Sequence, residues 1–163
     1  AFTKAVHRMK FSTKEDIDVP IDAAFEMLSE FEQFERAAMH RGADVQRVDA
    51  LHRPASGMTW DAAFDMRGKR REVRVEMVKF VRPTEMKLIT TSPGLTGDME
   101  LDLLALSRSR TRITVALEIK PHNLSARLLV QSLKLAKTSL TKKFKARVAD
   151  YAKGMEARYQ APR

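Results

Sequence analysis

The segment IDVPIDAAFEML, residues 17–28, changes from the period of a strand to the period of a helix at its proline. Residues 10–19 alternate between a mostly apolar face and a polar face, a pattern that predicts a half-buried strand. Pro20 ends this strand, because proline has no N–H to donate to a strand ladder. The apolar residues that follow recur at helical spacing; they are Ile21, Ala24, Phe25 and Leu28. The segment therefore predicts a strand followed directly by a helix.

A second short helix is predicted immediately after the first. Ser29 and Glu32 have the spacing of a capping box, in which each side chain accepts a hydrogen bond from a free backbone N–H. Phe31 and Phe34 would lie on this helix, and Gly42 would end it. The chain thus predicts two short helices after its first strand.

From residue 43 to residue 119 the pattern is that of strands joined by short turns. The clearest alternation places Trp60, Phe64 and Met66 on one face, opposite Asp61 and Asp65. The alternation loses its phase over residues 78–81, which predicts a bulge. Residues 94–97 (GLTG) are predicted to form a loop. The predicted strands span residues 43–51, 58–67, 72–81, 85–91, 97–107 and 111–119.

The C-terminal part of the chain predicts one long helix over residues 123–158. Its apolar residues recur in steps of three and four, and no proline interrupts it before Pro162. A straight helix of ~36 residues would measure ~54 Å, which exceeds the width of a small domain. We therefore expect it to kink, break or overhang, with Gly154 as a weak point.

Together these elements predict an α+β helix-grip fold, in which a curved antiparallel sheet of about seven strands is wrapped around the long C-terminal helix. The order of elements resembles that of the START-like SRPBCC superfamily, which includes polyketide cyclases, lipid-transfer domains and coenzyme Q-binding proteins. The resemblance is clearest in residues 17–28 and extends from Lys10 to about Tyr159. It implies a cavity between sheet and helix that holds an apolar ligand.

Length and composition fit one soluble domain. The chain has 163 residues, 44% hydrophobic and 31% charged, and no cysteine, which excludes disulfides and thiolate sites. No apolar run approaches the ~20 residues of a membrane span, so we expect a cytoplasmic protein. Residues 9–160 are predicted to form a single domain, and residues 1–8 an added N-terminal extension, because Met9 resembles a natural start.

The net charge of +9 is concentrated in two places. Residues 123–158 contain nine basic and two acidic side chains, and residues 67–74 contain five basic side chains and one acidic. Such a field attracts phosphate groups, although a solvated helix face and a solvated hairpin would show the same pattern. Nucleic acid is not favoured as a partner, because Phe144 and Tyr151 lie on the apolar stripe of the helix and are not available to stack on bases.

Candidate ligand-binding residues are the large apolar side chains that share the inner faces of the sheet and the long helix. The same residues could simply form an ordinary core. They are Trp60, Phe64, Met66, Val75, Met77, Met99, Leu101, Leu103, Leu133, Leu140 and Phe144. Glu15 is added because it is a carboxylate on the apolar face of its strand, where it would orient a polar group of the ligand or act as a general acid or base. The alternative for Glu15 is a solvated strand end.

No catalytic residue, metal ligand or cofactor is predicted. The four histidines are scattered and show no metal-ligand spacing; they are His7, His40, His52 and His122. Nucleophile elbows, dinucleotide fingerprints and phosphate-binding glycine loops are absent from the sequence.

The resemblance and the apolar pattern together favour one function and leave two alternatives open. The favoured function is binding or transfer of a small hydrophobic ligand, such as a lipid, a quinone or an aromatic polyketide-like compound. One alternative is a cyclase or dehydratase that acts in the same cavity. The other is a module whose basic face contacts an anionic membrane surface. The pattern alone leaves the oligomeric state undetermined.

Overall fold

The computed structural model describes residues 7–161 as seven strands and four helices. The strands are β1 (Met9–Ile17), β2 (Asp44–Arg47), β3 (Thr59–Met66), β4 (Lys69–Val81), β5 (Glu85–Ser92), β6 (Leu95–Ser107) and β7 (Arg110–Pro121). The helices are α1 (Ile21–Leu28), α2 (Phe31–His40), α3 (Leu124–Lys134) and α4 (Lys137–Gln160). This is the predicted α+β order, with two short helices after the first strand.

All seven strands form one antiparallel sheet in the order β1-β7-β6-β5-β4-β3-β2. Residues that pair across neighbouring strands share a face of the sheet. Glu15 pairs with Ile113, and Trp60 pairs with Val75. The sheet is curved, and α4 packs on its apolar, concave face. The helix-grip prediction is confirmed.

Residues 17–28 connect β1 to α1 and make buried contacts with the rest of the fold. Val19 is fully buried, and its carbonyl accepts a hydrogen bond of 2.7 Å from the hydroxyl of Thr111. Phe25 of α1 is 1% exposed, and its ring packs on Phe80 with 5.1 Å between the ring centroids. The strand-to-helix turn is therefore held by Thr111 and Phe80, which are distant in sequence, as well as by its own residues.

The core has two parts, which lie toward opposite ends of the concave face. The larger part joins α1 and α4 to the middle of the sheet and contains Phe25, Trp60, Met77 and Met155 among its buried residues. The smaller part contains Met9, Phe11 and Val130, with Leu133 and Leu140 packed against it.

The predicted single C-terminal helix is two helices, and the break lies at Leu135–Ala136, not at Gly154. Leu133 at the end of α3 and Leu140 near the start of α4 both pack on the smaller core. Gly154 is exposed within α4, with open space around its Cα, and does not interrupt the helix.

Three local predictions are corrected. Ser29 does not form a capping box, because its hydroxyl donates to the carbonyl of Phe25, one helical turn back. Residues 94–97 are not a loop, because β6 begins at Leu95 and only Pro93 and Gly94 turn the chain. The strand predicted over residues 43–51 ends at Arg47. The bulge predicted at residues 78–81 is confirmed by a register shift between Met77 and Lys79.

Asp49 organises the loop that replaces the end of the predicted strand. Its carboxylate accepts hydrogen bonds from the Arg47 guanidinium, from the N–H of Thr59 at 2.8 Å and from the N–H of Leu51 at 2.9 Å. The hydrogen bond from Arg47 is the main cause that holds the pKa of Asp49 well below its usual range, and the two backbone N–H groups add to it.

Replacing Asp49 with asparagine is expected to lower the free energy of unfolding by about 1.5–3 kcal/mol near neutral pH, because hydrogen bonds to a charged group are lost. A carboxylate with a lowered folded-state pKa stabilises the fold above its unfolded pKa of about 3.9, and this contribution fades as the pH falls toward the folded value. Urea unfolding at about pH 7 and about pH 3 should therefore show a difference that shrinks in acid. Asp65→Asn, at an exposed carboxylate, is the control. If Asp49→Asn were as destabilising at about pH 3 as at about pH 7, the stabilising role of the charged Asp49 carboxylate would be refuted.

Candidate functional site

A pocket of about 690 Å³ lies between the concave face of the sheet and α4. Its walls come from β1, β6, β7 and α4, and one residue each from α1 and α2 closes an end. The lining residues are Glu15, Leu28, Phe34, Arg41, Met99, Leu101, Ile113, Val115, Phe144, Arg147, Val148, Asp150, Tyr151 and Ala152. The volume falls in the range of about 300–1,000 Å³ that is typical of small-molecule sites.

The pocket is apolar along its walls and charged at its mouth. Arg41, Arg147 and Asp150 are exposed, which places their charges toward solvent. Glu15 and Tyr151 are half-buried and supply the polar groups further in. This combination of apolar walls with few polar groups suits an apolar ligand that carries one polar end.

The hydroxyl of Tyr151 is buried and, within the part of the chain that the structure describes, has no hydrogen-bond partner. The ring of Phe34 stacks on the tyrosine ring with 5.3 Å between centroids. The Arg158 guanidinium lies nearby but donates its hydrogen bonds to Glu30 and Gln33. Burial raises the pKa of Tyr151, and Arg158 opposes part of that rise. Because a buried tyrosine hydroxyl normally has a partner, this side chain is a candidate contact for a ligand.

Tyr151 was missed as a polar group because its position on the apolar stripe of the helix classed it with the core. The signal that could have found it is chemical. A tyrosine on a buried stripe carries a hydroxyl that must find a partner.

Glu15 faces the pocket, as its position on the apolar side of β1 predicted. Among residues 7–161 no ion pair or hydrogen bond to the Glu15 side chain is found, although Arg147 of α4 lines the same pocket. Its half-buried carboxyl group is therefore available to a ligand.

The structure brings four of the predicted binding residues to this pocket, and the other eight lie elsewhere in the fold. The four are Glu15, Met99, Leu101 and Phe144. Trp60, Met77 and Leu103 are buried in the larger core, and Val75 packs against it. Leu133 and Leu140 pack on the smaller core, and Phe64 and Met66 are half-buried near the tip of the β3–β4 hairpin.

Aromatic packing explains why Trp60 lies in the core. The ring of Phe31 in α2 covers Trp60 edge-on, with 5.5 Å between centroids, and Phe31 also contacts Phe80. Rings from the two short helices thus fill the space beside Trp60 of β3 and Phe80 of β4. The pocket lies further along the sheet, where β1, β6 and β7 face α4.

Two other hollows, of about 710 and 620 Å³, have more polar linings. The first includes Asp44, Asp61, Glu72 and Arg74. The second lies between the β3–β4 hairpin and α3. Across residues 7–161 no three His, Asp or Glu side chains come together in a way that could hold a metal ion. The pocket against α4 is therefore the candidate ligand site.

No family model and no curated protein matches the sequence. Solved structures do match. The aromatase/cyclase Zhui from Streptomyces sp. R1128 aligns with a TM-score of 0.65 at 13% identity, over 95% of this chain and 98% of its own. Norcoclaurine synthase from Thalictrum flavum, in complex with dopamine and hydroxybenzaldehyde, aligns with a TM-score of 0.56 at 10% identity, over 86% and 88%.

A third structure, Ara h 8.0201, aligns with a TM-score of 0.53 at 14% identity, over 88% of this chain and 99% of its own. Identities this low establish a shared fold and leave function open. The alignments span nearly the whole chain, as the resemblance in residues 17–28 predicted. The protein has the helix-grip fold that these structures share.

Proposed function

We propose that residues 9–160 form a single domain that binds a small hydrophobic ligand in the pocket between β1, β6, β7 and α4. The observation that carries the proposal is a pocket of about 690 Å³ whose walls are mainly apolar and include the side chains of Glu15 and Tyr151. Apolar walls supply the affinity by removing ligand surface from water. The polar groups determine which end of the bound ligand lies deeper in the pocket.

The ligand is expected to carry a hydroxyl or carbonyl group at its inner end. The hydroxyl of Tyr151 can donate to a carbonyl or accept from a hydroxyl. The carboxyl group of Glu15 favours a ligand hydroxyl over a ligand carboxylate, because two carboxylates in one pocket repel each other. Within the predicted classes, quinones and aromatic polyketide-like compounds therefore fit better than free fatty acids.

The two titratable groups in one pocket are the observation that favours the second candidate, a cyclase or dehydratase. General acid and base catalysis requires such groups within reach of the substrate. Norcoclaurine synthase holds dopamine and hydroxybenzaldehyde within the same fold. Whether a bound compound is released unchanged or converted distinguishes the two functions.

Replacing Tyr151 with phenylalanine removes the hydroxyl and keeps the ring. We expect the affinity for a quinone or an aromatic polyketide-like compound to fall about 2- to 12-fold, the value of one neutral hydrogen bond. Displacement of an apolar fluorescent dye by each compound measures this effect.

Tyr159→Phe is the matched control, because Tyr159 is the other tyrosine of the chain and is exposed. It should bind like the wild-type protein. If both variants bound every compound as tightly as the wild type, the polar group assigned to the inner end of the site would be wrong.

A further inference from the structure

The outward face of α3 exposes a row of leucines. Leu124 is 70% exposed, Leu128 is 58% exposed, and Leu135, immediately after the helix, is 92% exposed. On the opposite side of α3, Ala126 and Val130 are buried against the sheet. The spacing of the leucines places all three on one side of the helix, away from the core. Among the described residues, the row is therefore an apolar surface without a partner, on the side of α3 that faces away from the core.

It is uncommon for several strongly exposed leucines to lie on one side of a helix. Single exposed apolar residues are normal on any protein, but contiguous ones on one helix face indicate that something covers them. None of the three leucines contributes to either core part. The fold does not need them, so their surface is available for an external partner.

The charge around this row is strongly positive. Residues 123–149 contain seven basic side chains and no acidic one. Arg127 lies on the exposed side of α3, and in the described part of the chain it forms no ion pair; the same holds for Lys142 and Lys143 on α4.

The β3–β4 hairpin brings further bases to the same end of the molecule. Arg67 at its tip donates a hydrogen bond to Ser132 of α3. Lys69 and Arg71 line a hollow together with Ser125 and Leu129 of the same helix. The leucine row is therefore flanked by bases from two parts of the chain, and these were the two basic clusters in the sequence.

We propose that this face, formed by Leu124, Leu128 and Leu135 with Arg127 and the flanking bases, docks on the surface of an anionic lipid bilayer. The leucines enter the boundary between headgroups and acyl chains, and the bases contact lipid phosphates. A row of apolar side chains surrounded by basic ones is the composition expected of a protein face that binds an anionic bilayer.

Charge complementarity decides between this partner and the others. A second copy of the chain would bring an equally basic face against this one, and like charges repel. Single-stranded nucleic acid matches the charge, but it gains affinity from aromatic side chains that stack on its bases, and the exposed apolar residues here are leucines. Docking does not depend on the pocket being occupied, so this inference goes beyond the proposed ligand binding.

Vesicle flotation tests the proposal. The wild-type protein is mixed with vesicles of phosphatidylcholine alone or of phosphatidylcholine with phosphatidylserine, and it is compared with the triple variant Leu124→Ser, Leu128→Ser, Leu135→Ser. We expect binding to the anionic vesicles only, weakened by salt. The triple variant should bind at least about tenfold more weakly, because apolar insertion is lost.

The matched control is Leu104→Ser with Leu106→Ser, which removes two exposed leucines from β6 and should leave vesicle binding unchanged. Circular dichroism confirms that all variants stay folded, which is expected because none of these side chains is buried. Absence of binding to anionic vesicles would overturn the proposal, and so would equal binding by the triple variant. A wild-type dimer that the triple variant converts to a monomer would also overturn it, since the row would then be a contact between two copies.

Discussion

Replacing Met99 and Leu101 together with tryptophan is expected to weaken ligand binding at least about 100-fold, which corresponds to about 2.7 kcal/mol. The two side chains lie two residues apart on the pocket face of β6. Indole rings at these positions would occupy the space that the ligand needs. Because a small ligand buries most of its surface in its pocket, loss of that space removes both room and contacts.

The same double variant is expected to remain about as stable as the wild type. If the wall were closely packed, each added ring would force its neighbours apart at a cost of about 1–3 kcal/mol. An open pocket accepts the rings instead. Leu104→Trp with Leu106→Trp, on exposed positions of the same strand, is the control that should retain full binding. If the Met99→Trp, Leu101→Trp variant were severely destabilised and its ligand affinity unchanged, these two residues would belong to the packed core and not to a binding site.

Replacing Phe25 with alanine is expected to lower the free energy of unfolding by about 3–5 kcal/mol. The ring is 1% exposed, packs on Phe80 and belongs to the larger core. Its removal leaves a cavity where α1 meets the sheet, and the surrounding residues cannot close it completely. Denaturant unfolding measures the loss, which is a large part of the 5–15 kcal/mol typical of a folded domain.

Phe34→Ala supplies the comparison, because it deletes the same ring at a position that is 40% exposed. We expect it to cost much less than the change at Phe25. The milder change Phe25→Leu keeps most of the buried volume. It shows whether the loss of unfolding free energy becomes smaller when less volume is removed. Similar losses at Phe25 and Phe34 would contradict the assignment of α1 as the element that closes the larger core.

The strands and the first two helices could be predicted from the sequence because their signals are local. Alternation over residues 58–67 gave a strand that the structure places at Thr59–Met66. The break between α3 and α4 could not be predicted this way. Neither glycine nor proline marks Leu135–Ala136. Leu133 and Leu140 on either side of the break pack against residues distant in sequence, which local patterns do not reveal.

The position of the pocket was only partly predictable, for a similar reason. Periodicity identifies which residues face inward, but it does not tell how far the opposite layer stands from them. Trp60 and Met99 both belong to the inward set. Phe31 fills the space over Trp60, whereas nothing in the described structure fills the space beside Met99. That difference depends on how α2 packs.

Native mass spectrometry of the purified protein, with identification of any released compound, tests the proposed ligand site most directly. The wild-type protein is measured as purified and again after exposure to fatty acids, quinones and aromatic polyketide-like compounds. The account predicts one apolar compound per chain, retained by the Leu104→Trp, Leu106→Trp control and absent from the Met99→Trp, Leu101→Trp variant. A wild-type protein that stays empty under every condition, or a filled-pocket variant that binds equally well, would contradict it.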